Sequence, residues 1–157
     1  DLTGTQNPIQ SQHFTRATSS NGGANFGTGV TLHGSGSDAG VFTFPSTGFW
    51  RVESGLSFTM NDVTRYCFST IEYATNGKTG SFTGRAFGRA FINSSNMTSG
   101  LIYSSSYITA VFDVTTSGDT GSSSAVKFVL SGEKSHGIMS STSGLLSWFM
   151  FTRLGDT

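Results

Sequence analysis

The chain predicts an all-β fold, an antiparallel sandwich or jelly roll of about eight to ten strands. Three observations carry that expectation. Short apolar segments alternate residue by residue with polar ones, and no segment sustains a 3.6-residue period. Clusters of Gly, Ser and Asn separate these segments, with 21 glycines against 2 prolines, so the chain turns often and has little to nucleate a helix. Phe alone supplies 14 of the 157 residues, so burial rests on aromatic rings that suit a pleated, half-buried surface.

Residues 1–12 are polar and aperiodic and read as a linker or stalk lead-in; residues 13–157 read as one domain. Asp1 in place of methionine reads as a processed or excised product. The first strand candidate is HFTRAT, from His13 to Thr18, followed by GVTL from Gly29 to Leu32 and VFTF from Val41 to Phe44. The long segment GFWRVESGLSFTM places Trp50, Val52, Leu56, Phe58 and Met60 on one face, with Ser54 among them. Phe49, Arg51 and Glu53 fall on the other. Arg65 to Thr75 ends at Asn76-Gly77, a hairpin signal. Ser105 to Val114, Ala125 to Leu130 and Leu145 to Leu154 complete the set.

TGRAFGRAFIN, from Thr83 to Asn93, repeats Gly-Arg-Ala-Phe. A helix would lose about 1 kcal/mol at each glycine. Read as a strand, it puts Arg85, Phe87, Arg89 and Phe91 on one face and Gly84, Ala86, Gly88 and Ala90 on the other. Phe87 and Phe91 are expected to pack into the sandwich or onto a loop, with Arg85 and Arg89 at the rim, stacking on rings or pairing with Glu72. A ligand platform is the competing reading, since rings beside a guanidinium stack bases or sugars.

Composition excludes several function classes. Nine Lys and Arg balance nine Asp and Glu, and the cations never cluster, so the footprint of a nucleic-acid binder is missing. No run approaches the roughly 18 apolar residues of a membrane span. Cys67 is the single cysteine and reads as a small buried hydrophobe rather than a nucleophile.

FPSTGFWRVESGLSF, from Phe44 to Phe58, resembles the lead into the third core strand of the tumour necrosis factor and complement-head jelly rolls. Pro45, Ser46, Gly48, Phe49 and Trp50 match its proline-then-glycine-aromatic pattern. SSYITAVFDV resembles their sixth strand, and SGLLSWFMFTRLG their closing strand. The resemblance implies a homotrimer whose inner sheets meet around a three-fold axis. It implies axis-facing positions at Arg51, Glu53, Tyr107, Phe149, Phe151 and Arg153, leaving Leu146, Trp148, Met150 and Leu154 for the core. Arg51 and Glu53 stand where the family carries apolar residues, so Arg–Glu pairs between subunits are expected, because an unpaired charge at an axis is costly. By order, the Gly-Arg-Ala-Phe strand resembles the fifth, in the outer sheet.

No catalytic or metal-binding constellation emerges. His33, Ser35, Ser37 and Asp38 lie close in sequence but lack a nucleophile elbow. Asp113 and Asp119 lead no calcium-ligand series. No cofactor is expected. Asn93 and Asn96 each begin an N-x-[ST] triplet in a polar stretch; with Arg85 and Arg89 they are the candidate ligand-facing residues. The loops expected to present a binding surface are Asn93–Gly100, Ser117–Ser124 and Gly132–Gly144.

The resulting expectation is a non-enzymatic trimeric head domain of a virion fibre or appendage, as on a bacteriophage, which attaches to a host surface or caps the structure. Its partners would be copies of itself, other virion proteins and a host-surface glycan or protein, with neither nucleic acid nor membrane insertion. A secreted complement-head-like recognition protein or lectin, extracellular in location, and a capsid decoration protein are the alternatives.

Overall fold

The structure is a computed structural model and describes residues 2–3, 8–9, 14, 27–61, 66–78, 80–91, 101–132, 136–139 and 146–157. Its strands form two antiparallel sheets. In the first, β4 (Gly48–Asn61) pairs along its whole length with β7 (Leu101–Val114). On the opposite edge of β4, β10 (Trp148–Gly155) covers one half and β9 (His136–Ile138) the other, with β1 (Leu2–Thr3) extending β9. The second sheet runs in the order β2 (Thr31–Leu32), β3 (Val41–Thr43), β8 (Ala125–Gly132), β5 (Tyr66–Ala74) and β6 (Thr83–Phe91). Among the described residues the only helical turn is the 3-10 segment Gly36–Asp38.

Alternation explains which way each strand faces. Trp50, Val52, Leu56 and Phe58 of β4 are buried, as are Ile108, Phe112 and Val114 of β7. They meet Ile71 and Tyr73 of β5 and Val126, Phe128 and Leu130 of β8. Each buried ring or branched chain contributes on the order of 2 kcal/mol, so this alternating set is what closes the sandwich. The Pro-Ser-Thr-Gly lead into β4 also has a local cause. Gly48 adopts φ +120 and lies so close to the Gly155 carbonyl that a Cβ has no room. The Trp50 indole N–H then donates to the Ser46 carbonyl at 3.0 Å.

The closing strand reverses the sequence expectation. Phe149 and Phe151 point into the sandwich, not outward. Phe149 packs on Phe14 and Phe128, with ring centroids 4.9 and 4.3 Å away, and Phe151 on Phe42 at 5.1 Å. The segment LLSWFMFTRL is apolar in both registers, so its own periodicity cannot orient it. Pairing with β4 does: Phe149 stands opposite Ser54 and Phe151 opposite Val52, core positions whose small side chains leave room for rings. Trp148 and Met150 stand opposite Gly55 and Glu53 instead, on the outer face.

Two smaller departures follow from pairing that lies beyond local sequence. The strand expected from Ser105 begins at Leu101. Within the loop expected over Gly132–Gly144, His136–Ile138 forms β9, with His136 and Ile138 buried. Of the strand expected at His13–Thr18, only Phe14 lies within the described residues.

Candidate functional site

The outer face of the first sheet is built in cross-strand rows. Tyr107, Gly55 and Trp148 form one; Thr109, Glu53 and Met150 the next; Val111, Arg51 and Thr152 the third. The missing side chain at Gly55 lets rings from both neighbouring strands lean over β4. Tyr107 and Trp148 approach to 5.9 Å between centroids, and a Cβ on Gly55 would come within 2.5 Å of Trp148. Tyr107 and Val111 are each 57% exposed, and Tyr103, Phe49, Met150, Leu146 and Leu154 are also exposed. A two-layer sandwich leaves these side chains uncovered.

At the centre of this apolar surface is a buried carboxylate. The Glu53 side chain is 6% exposed, with Arg51 Nε 3.0 Å from its Oε2. The Tyr107 hydroxyl donates to Glu53 Oε1. The hydrogen bond to Glu53, with partial desolvation, pushes the Tyr107 phenol above its ordinary value, since a phenolate beside a carboxylate is disfavoured. Arg51 and Glu53 are therefore paired within one chain, where pairing between subunits was expected. The i, i+2 spacing on a strand brings both to one face, within reach of each other.

Arg51, Glu53 and Tyr107 share this face as expected; Phe149, Phe151 and Arg153 do not join them. Arg153 stands opposite Trp50 at a register irregularity, donates from Nε to the Thr47 carbonyl at 3.1 Å, and pairs with Asp156. Trp148, Met150 and Val111 are the residues missed. Only the cross-strand register, not the segment's own letters, could have found them.

A second exposed surface lies on the other sheet. β6 is its edge strand, and Phe87 and Phe91 are 70% and 64% exposed rather than packed into the sandwich. The Gly/Ala side of β6 turns inward because Gly88 sits against Ser106 and Ile108 of β7, too close for any Cβ. The expected alternation breaks at one point. Ile71 pairs with Ala86 but Glu72 with Gly84, leaving Arg85 as the extra residue of a bulge. Arg85 consequently lines a groove of about 570 Å³ at the sheet edges with Tyr73, Thr109, Val111 and Asp113. Glu72 pairs with Lys127 at 3.0 Å, not with either arginine. Arg89 lies 6.0 Å over the Tyr66 ring, which stacks on Phe68. Asn93 and Asn96 lie outside the described residues.

The loops at one end are held by charge. Lys78 Nζ reaches Asp119 at 2.6 Å and Asp38 at 3.2 Å, joining three connections far apart in sequence. His33 lies 3.7 Å from Asp38 and reaches Thr43 Oγ1 at 3.3 Å. Ser35 and Ser37 are exposed and outside this network, so the sequence neighbours of His33 do not assemble as nucleophile and base. Among the described residues no group of three or more His, Cys, Asp or Glu could hold a metal ion.

Neither a protein-family model nor a curated protein matches the chain. Among solved structures it is similar to Eiger, a tumour necrosis factor of S. frugiperda. The match has a TM-score of 0.55 and 12% identity, covering 82% of this chain and 70% of that one. At that identity the likeness speaks for architecture alone: the protein is a tumour-necrosis-factor-like jelly roll of two antiparallel sheets.

Proposed function

We propose that this chain is the non-enzymatic head domain of a homotrimer, placed at the tip of a virion fibre or appendage, where it attaches to a host surface. The observation that carries the proposal is the exposed apolar face of the first sheet. Tyr103, Tyr107, Val111 and Met150 stand uncovered there around a carboxylate already neutralised within the chain. Contiguous apolar surface of this kind marks an association site. Because Glu53 already has its partners, a second copy can cover it without stranding a charge. The three-fold arrangement is that of the family the sequence resembles. Glycine-rich, charge-poor composition supports a place on an external appendage; the expected lead-in over residues 1–12 does not, because Leu2–Thr3 pairs with β9 and Ile9 is buried in the core with its N–H on the Phe128 carbonyl. Three copies would present three loop sets, so weak contacts sum to firm attachment.

Sedimentation or native mass measurement tests the assembly. The expected mass is three times 16.6 kDa. Val111→Glu, at an exposed position opposite Arg51, is expected to give a folded monomer. A wild-type chain that stays monomeric at about 100 µM, where even a Kd of about 1 µM would assemble it, would refute the proposal.

A further inference from the structure

The outer face of β5 and β6 carries exposed aromatic rings, that of Phe87 lying over Gly84, where a Cβ would come within 2.5 Å of it. Along β6, Phe87, Arg89 and Phe91 occupy successive same-face positions, spaced roughly 7 Å apart. Across from Phe91 and Arg89 stand Tyr66 and Phe68, stacked at 6.1 Å and 22°. Phe87 and Phe91 are among the most exposed large apolar side chains described, yet a guanidinium separates them. Among the described residues, no carboxylate pairs with Arg89, whose contact is the face of Tyr66 at 6.0 Å. The nearest acid across the strands, Glu72, is engaged by Lys127. This surface is therefore a row of ring, cation, ring, with net positive charge.

We propose that this row binds an acidic polysaccharide, a chain of pyranoses bearing carboxylates. The C–H face of a pyranose stacks on Phe87 and Phe91, and a ring carboxylate takes the Arg89 fork in the geometry that makes such pairs specific. Charge selects this occupant. A nucleic acid would need cations along its phosphates, and nine basic residues against nine acidic ones without a cluster do not supply them. A second copy across a two-fold would set like guanidinium groups against each other. As the host-surface ligand the inference rests on the attachment reading, and three copies would give it avidity.

The test is isothermal titration of the full chain with oligogalacturonate and oligosialic acid, each beside its methyl ester of equal length. At least one acid is expected to bind about tenfold tighter than its ester, the discrimination a charge-assisted hydrogen bond provides. Arg89→Gln is expected to abolish that preference, Arg89→Lys to retain part of it, and Phe87→Ala with Phe91→Ala to weaken acid and ester alike. The proposal is overturned if neither acid is preferred, if the preference survives Arg89→Gln, or if an oligothymidylate binds as tightly. Sedimentation of the same samples separates the two ideas. A monomer that keeps the acid preference overturns only the trimer, and a trimer without it overturns only the glycan site.

Discussion

Cys67 shows how the interior acts on one residue. It is fully buried on β5, between β8 and β6, and desolvation pushes its thiol up to about 11, because a thiolate has no partner there. The folded protein should therefore resist iodoacetamide at pH 8, while chain unfolded in urea should react at the rate of a free thiol. Fast labelling under native conditions would contradict the placement. This residue was legible from its letters alone: in VTRYCFSTI no activating partner lies nearby, and alternation puts Cys67 on the same face as Ile71. The Tyr107–Glu53–Arg51 contact was legible only in part. Spacing brings Arg51 and Glu53 to one face, but Tyr107 reaches them from a strand 54 residues away in sequence.

At the scale of the element, β6 depends on small residues. Gly88 lets the edge of the second sheet close onto Ser106 and Ile108 of β7, with backbone approach no side chain would permit. Gly88→Ala should cost about 1–3 kcal/mol through overpacking, read as a lower urea midpoint, whereas Ala on the exposed side of the strand at Arg89 should be nearly neutral. Equal stability for Gly88→Ala and wild type would show that the strands are not in this contact. The two faces of β6 were legible; their destinations were not. A Gly/Ala face fits either close approach by bulky neighbours or simple exposure, and Phe beside it suggests a buried ring, yet the core already holds Phe42, Phe44, Phe128, Phe149 and Phe151 in mutual contact. Facing β7 across a short gap, the strand could turn only its small side inward.

For the whole molecule, Lys78 is the main tie among the loops at one end, and it makes stability depend on pH. Asp119 and Asp38 are both held below the ordinary 3.8, chiefly by the hydrogen bond from Lys78. Lys78 is held above 10.5, chiefly by Asp119. The carboxylate contribution is complete above pH 3.8 and is lost as pH falls through the lowered values; the ammonium contribution is complete below 10.5 and fades as pH rises beyond it. Lys78→Met should thus lower the urea midpoint at neutral pH and flatten its further decline toward about pH 2. A variant with the wild-type acid limb would show that the ion cluster does not contribute.

Strand-forming alternation, abundant turns and the proline-glycine lead into β4 are local properties, and from them the chain by itself determined a jelly roll and the direction each face of β4 takes. Which face of β10 enters the core, where Arg85 bulges, and which acid Lys78 meets were decided only when strands remote in sequence paired. The reason is register. A segment apolar on both faces satisfies burial equally well either way round, and only the volume left by Ser54 and Val52 on the neighbouring strand breaks that tie.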